Sequence, residues 1–421
     1  MTAPERVAIV GSGISGLICA YLLDSIHDVV LYEADDRLGG HTNTVTVEDP
    51  LAGRLGIDTG FIVHNDRNYP NLIRLLTELG VATIDSEMSF AVTDRPSGFT
   101  YRATSVNTLL ARRRNVIDTR LWRMVLDILR FHRNGRQFLA NPSSDETMTI
   151  AQFLTAGRYS RPFVDLHLVP MGAAVWSADP STFDRFPAMS LLRFLDNHGL
   201  LSIGNRPQWK TIAGGSRTYV DAIAARLRGS VRLGDGVEAV TRTPEGVTVV
   251  AANSHAAHFA QVILATHSDQ ALAILTDPTA LEKELLGAVR YQPNRATLHT
   301  DISLLSPNRR AWAAWNYERL DDTATTAGVT YDLSNLQRLP GSRRYLVSLN
   351  AEDRVDPATV LAEFDYAHPV FDIAAIAAQR RIAEINGVAN TWFCGAWQGY
   401  GFHEDGISSG IAVAQALGAT W

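Results

Sequence analysis

The sequence predicts an α/β protein of two domains, one of them assembled from three separated segments of the chain. Its 421 residues, of which 46% are hydrophobic and 19% are charged, are enough to bury a large core. A strand, a glycine-rich turn and a helix follow one another at the amino terminus, and a strand, a glycine-rich loop and a helix recur at the carboxyl terminus. The intervening residues mix helical patterns with strands, which predicts a second domain of mixed α+β structure.

The composition is that of a globular protein with no general affinity for nucleic acid, because the formal net charge is −6. Cys19 and Cys394 are too few for a disulfide framework and lack the spacing of metal ligands. We therefore expect a reducing cytoplasm and no metal. No stretch approaches ~20 uninterrupted apolar residues, so we expect no membrane-spanning segment.

The amino-terminal segment carries the strongest signal. A predicted strand at 6–10, a GxGxxG turn at 11–16 and a predicted helix at 17–23 stand in the order that dinucleotide sites require. A second strand ends at Glu33, 22 residues after Gly11, where a carboxylate accepts hydrogen bonds from a ribose. Glycines at the helix amino terminus let a pyrophosphate approach its free N–H groups. The pattern predicts a Rossmann-like dinucleotide-binding domain.

The residues after Glu33 indicate which dinucleotide is bound. The stretch "ADDRLGGHTNT" places Arg37, Gly39 and Gly40 in an RxGG pattern. Here the sequence resembles the FAD-dependent amine oxidase and phytoene desaturase superfamily, many members of which have a second arginine where this chain has His41. The resemblance implies that Arg37 contacts the FAD phosphates and that the paired glycines let the backbone run close to the flavin.

Further segments complete the predicted FAD domain. Between 205 and 267, paired glycines precede a helix, and alternating apolar and polar residues predict a small antiparallel sheet leading into a buried strand, "VILAT". The resemblance implies that Val237 lends backbone hydrogen bonds to adenine; the alternative is a core strand residue. The expected boundaries are 1–64, 205–267 and 387–421 for the FAD-binding domain, and 65–204 and 268–386 for the substrate-binding domain.

The carboxyl-terminal segment pairs a predicted strand, "NTWFCGAW", with a predicted helix, "GISSGIAVAQALGA". The resemblance implies that the loop between them lies beneath the isoalloxazine and that the helix amino terminus points at flavin N1 and O2, where it would stabilise negative charge. Asp405 is expected to be the N-cap of this helix. The predicted FAD-binding residues are Gly11, Gly13, Ser15, Gly16, Glu33, Ala34, Arg37, Gly39, Gly40, His41, Thr59, Gly60, Val237, Ala265, Gly395, Ala396, Gly406 and Ile407.

Longer blocks, among them "GAWQGYGFHEDGISSG", "VPMGAAVWS" and "QWKTIAGGSRTYV", carry a closer resemblance. They resemble a bacterial family of FAD-binding oxidoreductases found with cyclopropane fatty-acid synthases, and the flavoprotein segment of plant cyclopropane synthases. The resemblance implies an acyl chain on phospholipid as the substrate and desaturation of a methylated chain as the activity. Three alternatives stay open: a fatty-acid double-bond isomerase, an amine oxidase, and a non-catalytic FAD-binding partner of a lipid methyltransferase.

The lysines weigh against an amine substrate. Amine oxidases of the superfamily usually keep a lysine near flavin N5, whereas this chain has only Lys210 and Lys283 among 38 basic residues. Lys210 precedes the paired glycines of the nucleotide region, and Lys283 belongs to a helical pattern expected to face solvent. Cys394 lies within a strand and does not match the cysteine that attaches flavin covalently in some amine oxidases. We therefore expect noncovalent FAD.

Oxidation of a carbon chain by flavin requires a base and an apolar channel that excludes water. His403 and Glu404 precede the flavin-facing helix and are the predicted bases. His403 ranks first because imidazole titrates near neutrality; its alternative role is to hold the loop by a hydrogen bond. The predicted substrate-lining residues are Phe61, His64, Met171, Trp176, Trp397, Tyr400 and Phe402, and packing between domains is the alternative role of the last three.

Residues 111–139 form the strongest basic segment, with eight arginines against Asp118 and Asp127, a local excess of +6 in a protein of −6. The pattern predicts a basic amphipathic helix that can lie on anionic lipid at the inner face of the membrane. The alternative is a core-packed helix with a solvated arginine face, which the sequence alone slightly favours. The arginines expected to contact lipid are Arg112, Arg113 and Arg114.

Overall fold

The computed structural model describes residues 4–176, 180–202, 204, 206–320 and 328–421. The strands are β1 (Arg6–Val10), β2 (Asp28–Tyr32), β3 (Thr44–Asp49), β4 (Gly53–Asp58), β5 (His64–Asn65), β6 (Thr83–Asp85), β7 (Phe90–Asp94), β8 (Phe99–Arg102), β9 (Trp209–Ile212), β10 (Ser230–Arg232), β11 (Val237–Thr243), β12 (Gly246–Ala251), β13 (Ala257–Phe259), β14 (Gln261–Leu264), β15 (Arg290–His299), β16 (Trp315–Arg319), β17 (Gly328–Asp332), β18 (Leu346–Leu349), β19 (Val360–Val370) and β20 (Thr391–Phe393). The helices are α1 (Ile14–Leu23), α2 (Pro70–Leu79), α3 (Val106–Leu109), α4 (Thr119–Ala140), α5 (Ile150–Ala156), α6 (Arg161–Phe163), α7 (Val169–Trp176), α8 (Ala188–Asn197), α9 (Arg217–Ala224), α10 (Ser268–Ile274), α11 (Ala280–Gly287), α12 (Leu333–Leu336), α13 (Ile373–Gln379) and α14 (His403–Ala416).

A parallel sheet organises the nucleotide-binding half. Among the described residues it has five strands in the order β10–β2–β1–β14–β20. Numbered along the chain within this sheet, the order is 3-2-1-4-5, the Rossmann arrangement. The order reverses between β1 and β14, and ligands of such sheets bind at this reversal, outside the carboxyl ends of the strands.

Each face of this sheet carries its own apolar layer, because side chains alternate along a strand. Val7 and Ile9 of β1 face a layer built from α1, α2, α9 and α14. Ala8 and Val10 face the opposite layer, which β11, β12, α10, α11 and α13 supply. The sheet is therefore covered on both sides, as a parallel sheet must be.

Small residues bring α14 against α1. A Cβ added at Gly410 would lie 2.4 Å from the Cγ2 of Ile18, and one added at Gly406 would lie 2.9 Å from the Oγ of Ser15. The two free thiols are buried beside this contact, with 3.9 Å between the Sγ atoms of Cys19 and Cys394. The close approach places the amino terminus of α14 next to the glycine turn that precedes α1.

The small antiparallel sheet predicted after residue 230 is confirmed as β11–β12–β13. It leads into β14, which is buried in the parallel sheet. Val237 begins β11 at a register shift in its pairing with β12, and is only partly buried.

The other half of the molecule is built on a mixed sheet and a helical segment. In the described residues the sheet has seven strands in the order β19–β15–β18–β17–β16–β7–β8. The hairpin β3–β4 packs against it through Leu55 and Ile57. The helices from α4 to α8 enclose a separate apolar cluster rich in phenylalanine.

The expected domain boundary at residue 65 does not match the packing. Leu72, Leu75 and Leu76 of α2 are buried in the layer that also holds α1 and α14. Helices α10, α11 and α13, also expected in the substrate-binding domain, pack on the opposite face of the parallel sheet. Hydrophobic periodicity predicts that a helix buries one face, but it does not identify the sheet against which that face packs.

The basic segment is not one helix from 111 to 139. A 3-10 turn spans Arg113–Ile117, and α4 begins at Thr119, with the side chain of Asp118 accepting a hydrogen bond from the backbone N–H of Arg120. This N-cap separates the turn from the helix. Arg112, Arg113 and Arg114 therefore precede α4. Within the described ranges, no helix is long and apolar enough to cross a bilayer.

Candidate active site

The glycine turn between β1 and α1 lies at the reversal point of the parallel sheet. Gly11 has φ 96°, and a Cβ there would lie 2.9 Å from the carbonyl oxygen of Ala265 at the end of β14. A Cβ on Gly16 would lie 1.9 Å from the carbonyl oxygen of Gly11. At Gly13, by contrast, a Cβ would meet no described atom within 4 Å. Two of these glycines are needed for packing, and the third faces open space.

Glu33 follows β2, where sequence spacing placed the ribose-binding carboxylate. Its Oε2 accepts a hydrogen bond from the backbone N–H of Ser12 at 2.9 Å, and its Oε1 accepts one from the backbone N–H of Asp35 at 2.9 Å. The Ser12 hydroxyl also donates to Oε2. Ala34 is exposed beside it, and a Cβ on Gly236 would lie 3.1 Å from the Ala34 Cβ. Glu33 thus ties the glycine turn to the following loop.

The RxGG loop folds back onto the glycine turn. Arg37 donates hydrogen bonds to the carbonyl oxygens of Gly40 at 2.9 Å and Thr42 at 3.3 Å. A Cβ on Gly40 would lie 3.2 Å from the Cα of Gly13, and the backbone N–H of Gly39 donates to the Ser12 carbonyl oxygen. The described contacts of the Arg37 guanidinium therefore shape the loop.

His41 is half-buried at the end of this loop in a group of aromatic side chains, with its Nε2 shielded from solvent. Its ring centroid lies 4.8 Å from that of Tyr366, 5.4 Å from that of His368 and 6.1 Å from that of His267. Burial, followed by the charges of neighbouring groups, holds the His41 pKa well below its usual range. Its Nε2 has no hydrogen-bond partner among the described residues. Nor do those residues contain a group of three or more His, Cys, Asp or Glu side chains arranged to hold a metal.

These features fit a bound dinucleotide. A buried imidazole nitrogen without a partner costs free energy unless a ligand or water satisfies it. The open space at Gly13 lies at the amino terminus of α1, where free N–H groups favour phosphate. The remaining predicted cofactor residues border the same region. Ser15 and Ile407 are buried between α1 and α14, and Gly395 and Ala396 lead into α14. Thr59 and Gly60 precede Phe61, whose backbone N–H donates to the His41 carbonyl oxygen.

His403 stands at the first turn of α14, in contact with three segments. Its Nε2 lies 3.0 Å from the Thr42 Oγ1 and 3.0 Å from the Tyr219 hydroxyl, and its ring stacks on Phe61 with 3.6 Å between centroids. Burial lowers its pKa to about 3. The expectation that His403 titrates near neutrality is therefore wrong, because burial disfavours the charged imidazolium. The contacts favour the alternative role of holding the loop.

Glu404 is engaged with the amino terminus of α2. Its two carboxylate oxygens accept hydrogen bonds from the backbone N–H groups of Asn71 at 2.9 Å and Leu72 at 3.1 Å. Burial raises its pKa, and these hydrogen bonds oppose the rise. Asp405 is not the N-cap of α14. Phe402 occupies that position, and Asp405, in the first turn, accepts a hydrogen bond from the Phe402 backbone N–H at 2.9 Å.

Comparison with known protein families shows the family to which the chain belongs. The model of the family described as "Flavin containing amine oxidoreductase" matches residues 14–363, which is most of the chain. The chain belongs to this family. It is accordingly an FAD-dependent oxidoreductase of the amine oxidase superfamily, with FAD as its cofactor.

Individual relatives span several substrates. The putative flavin-containing monoamine oxidase AofH of Mycobacterium tuberculosis is 26% identical over 349 residues, covering 80% of this chain and 72% of that protein. The flavin-dependent L-tryptophan oxidase RebO of Lentzea aerocolonigenes is 24% identical over 284 residues, covering 60% and 55%. The chain is thus similar to amine-oxidising and amino-acid-oxidising enzymes over much of its length.

Solved structures show the same fold over the full chain. A putrescine oxidase bound to putrescine superposes with a TM-score of 0.69 at 18% identity, covering 99% of each chain. The fatty acid isomerase from P. acnes that produces CLA superposes with a TM-score of 0.71 at 14% identity, covering 100% of each chain. At these identities the likeness concerns the fold alone.

The predicted substrate-lining residues lie in three places in the structure. Met171, Trp176, Tyr400 and Phe402 all border the apolar cluster of the helical segment, and the Trp176 Nε1 lies 3.3 Å from the Tyr400 carbonyl oxygen. Trp397 does not join them. It is 3% exposed in the layer beneath the parallel sheet and donates to the Thr266 carbonyl oxygen. Its spacing from Tyr400 does not reveal this, because the chain turns at Gly399.

Phe61 belongs to the loop after β4, and His64 begins β5. His64 is 1% exposed, burial lowers its pKa to about 4, and its Nδ1 has no partner among the described residues. Phe61 provides the ring on which His403 stacks. Both residues therefore lie in the region that the sequence assigned to the site.

Sequence reasoning missed Asp58, directly before the predicted Thr59 and Gly60. It is fully buried and accepts hydrogen bonds from Thr44, from the backbone and hydroxyl of Ser216, and from the Nε2 of Gln337. Burial raises its pKa to about 7, while these donors oppose the rise. The signal for Asp58 in the sequence was an acidic residue directly before a glycine-containing loop. Its donors lie up to 279 positions away along the chain.

The two lysines differ in their position relative to the predicted site: Lys210 lies opposite His64 in the pairing of β5 with β9, whereas Lys283 lies on α11. Lys210 pairs with Asp85 at 3.3 Å, and Lys283 is exposed on α11. Cys394 is buried against Cys19.

Proposed function

We propose that this flavoenzyme oxidises a lipid acyl chain, removing two hydrogens from adjacent carbons of a fatty-acyl phospholipid. The observation that carries the proposal is the apolar cluster of the helical segment. It extends from Phe131 and Phe163 through Phe194 to Tyr400 and Phe402, directly before His403 at the start of α14. Phe131, Phe163 and Phe194 are fully packed, and the half-buried Met171, Tyr400 and Phe402 at the edge of the cluster form an aromatic wall. Such a wall of hydrocarbon and aromatic side chains fits an acyl chain better than a charged amine, because a buried charge requires a partner.

Two histidines beside this wall are held neutral by burial. Burial lowers the pKa of His198 to about 4 and that of His167 to about 3. The His198 ring stacks on Phe194, with 4.0 Å between centroids. At pH 7 these imidazoles therefore add no charge to the cluster.

FAD supplies the hydride acceptor for such a reaction. The chain must also take the proton lost from the neighbouring carbon, and a neutral imidazole nitrogen without another partner suits that task. Nε2 of His41 has no partner among the described residues, whereas Nε2 of His403 is already engaged with Thr42 and Tyr219. Burial lowers the pKa of both imidazoles, so the choice between them rests on hydrogen bonding and not on basicity. We assign His41 as the proton acceptor and His403 as a positioning residue.

The test is anaerobic mixing of the FAD-loaded protein with phospholipids whose acyl chains are saturated, monounsaturated or methyl-branched. Lasting loss of the oxidised flavin absorbance, together with product chains lacking two hydrogens by mass spectrometry, is the expected result. A long-chain primary amine of equal length serves as the matched control, since it presents the same hydrocarbon with a cationic end.

Other outcomes would replace the proposal. Bleaching by the amine alone would identify an amine oxidase. Transient bleaching with a moved double bond and unchanged mass would identify an isomerase, the activity of the P. acnes protein that shares the fold. Unchanged flavin with every lipid would favour a non-catalytic FAD-binding partner of a lipid methyltransferase.

A further inference from the structure

We propose that the outer face of α4, with the turn before it, docks reversibly onto a bilayer surface containing anionic phospholipid. This docking face consists of two kinds of side chain. The apolar ones are Val116, Ile117, Trp122, Leu126 and Leu129, and the basic ones are Arg113, Arg114, Arg123, Arg133 and Arg136. The proposal concerns where the protein lies, and it holds whichever substrate the flavin oxidises.

The apolar side chains of the docking face are exposed although the helix has a packed face of its own. Leu121, Met124 and Phe131 are buried against the protein. Trp122, Leu126 and Leu129 point away from it at helical spacing, which places them on one stripe. Their exposed fractions, with those of the turn, are 50% for Val116, 81% for Ile117, 47% for Trp122, 65% for Leu126 and 46% for Leu129.

The turn and the helix form one surface. The Trp122 Nε1 donates to the Val116 carbonyl oxygen at 2.9 Å, so the indole lies over the turn. Continuing the stripe of Trp122 and Leu126 by helical steps leads to Arg133 and Arg136, which are exposed. An apolar centre flanked by arginines, with a tryptophan among the apolar side chains, is the pattern of helices that lie in a membrane interface.

The arginines of the docking face carry uncompensated charge. The two acidic residues of the segment are matched locally, since Asp118 pairs with Arg120 at 2.7 Å and Asp127 pairs with Arg130 at 2.7 Å. The described residues offer no ion pair to the arginines of the docking face. Five arginines without an ion pair among the described residues therefore face solvent in a chain whose net charge is −6. This concentration of positive charge makes the docking face, more than the rest of the protein surface, attractive to an anionic surface.

Other anionic or apolar occupants fit less well. Nucleic acid would match the arginines but would bury Ile117 and Leu126 against phosphates. A second copy of this chain would match the apolar residues, but it would bring two arginine clusters together in a two-fold interface. An anionic bilayer satisfies both, because headgroups take the arginines and the acyl region takes the apolar side chains.

The buried side of α4 links the docking face to the candidate site. Phe131 belongs to the same apolar cluster as Phe194, and Ile128, Tyr400 and Phe402 pack against that cluster. Docking through α4 would therefore place the aromatic wall of the site directly behind the membrane-contacting helix.

The test is co-sedimentation of the FAD-loaded full chain with vesicles of phosphatidylcholine alone or mixed with phosphatidylglycerol. Each arginine near an anionic surface contributes about fivefold in affinity, so replacing Arg113, Arg114 and Arg123 by Gln should weaken binding by about 10²-fold. The matched control replaces Arg54, Arg228 and Arg343 by Gln. These arginines are also exposed and change the net charge equally, but they lie elsewhere on the surface.

The apolar side chains are tested separately. The double variant Ile117→Gln, Leu126→Gln should weaken binding to the mixed vesicles, while the control Leu51→Gln, Leu361→Gln should bind as the wild type does. Both pairs are exposed, so thermal unfolding should be unchanged. Binding only with phosphatidylglycerol, weakened by salt and by both docking-face variants, supports the proposal. No binding at low salt, or equal losses in the control variants, overturns it.

Discussion

The glycine turn around Gly13 and the helical segment from α4 to α8 represent two ways of building a site. In the glycine turn, the chain binds its cofactor through the backbone. The residues that matter are glycines a few positions apart, because their lack of a side chain permits close packing and leaves room for the cofactor. In the helical segment, the site that we propose is formed by side chains, and its aromatic wall requires Phe131, Phe194 and Phe402 to come together from distant positions. The first kind of site can be recognised from residues close together in the sequence, whereas the second depends on tertiary packing.

The largest expected effect separates packing from ligand binding within the glycine turn itself. Gly16→Ala would place a Cβ 1.9 Å from the Gly11 carbonyl oxygen. Overpacking against backbone costs about 3 kcal/mol or more, so we expect little folded protein.

Gly13→Ala adds a methyl group where no described atom lies within 4 Å. That variant should fold as the wild type does but bind FAD at least ~10-fold more weakly, the effect of losing ~1.4 kcal/mol of contact.

Thermal unfolding of the FAD-free proteins, followed by titration with FAD, measures both effects. A stable Gly16→Ala protein would show that the turn relaxes around the added methyl group. Unchanged FAD affinity of Gly13→Ala would place the pyrophosphate elsewhere.

The same difference explains what could be predicted from sequence. The strand at Arg6–Val10, the glycine turn and Glu33 lie within 28 residues, so spacing alone predicted how they meet. The sequence placed His403 and Glu404 before the carboxyl-terminal helix, whereas they are the first two residues of α14, and their neighbours do not support the roles assigned to them. The hydrogen bond of His403 to Thr42 spans 361 positions, and that of Glu404 to the Asn71 backbone spans 333. Sequence spacing shows neither partner.

A second experiment asks which histidine performs chemistry. Glutamine can hydrogen-bond but cannot accept a proton at pH 7. His41→Gln should therefore retain FAD while slowing reduction of the bound flavin by acyl substrate ~10²- to 10⁴-fold, the usual contribution of a positioned base. His403→Gln should stay within ~10-fold of the wild-type rate, because the amide can replace the hydrogen bonds to Thr42 and Tyr219. Stopped-flow absorbance and the FAD content of each protein provide the measurements.

The two histidines exchange roles if the results are reversed. A slow His403→Gln enzyme that keeps its FAD would make His403 the base despite its engaged Nε2. Loss of FAD from His41→Gln would make His41 a cofactor contact, as the family resemblance implied.

The smallest expected effect concerns acid stability in the seven-stranded sheet, away from both kinds of site. Burial lowers the pKa of His299 to about 4, with the nearby Asp301 opposing the shift, and its Nε2 lies 2.8 Å from the Ser348 Oγ. Above its unfolded pKa of ~6.5, His299 is neutral in both states and costs nothing. As pH falls below ~6.5, the unfolded chain takes the proton first, so stability is lost until the pH reaches the folded pKa.

This one residue should add up to ~1.4 kcal/mol per pH unit to the slope of unfolding free energy against pH. Urea unfolding of the wild type and His299→Gln between pH 7 and 4 measures the difference in slope, whatever the variant's stability at pH 7. Parallel slopes would show that His299 takes up its proton in the folded protein as readily as in the unfolded chain.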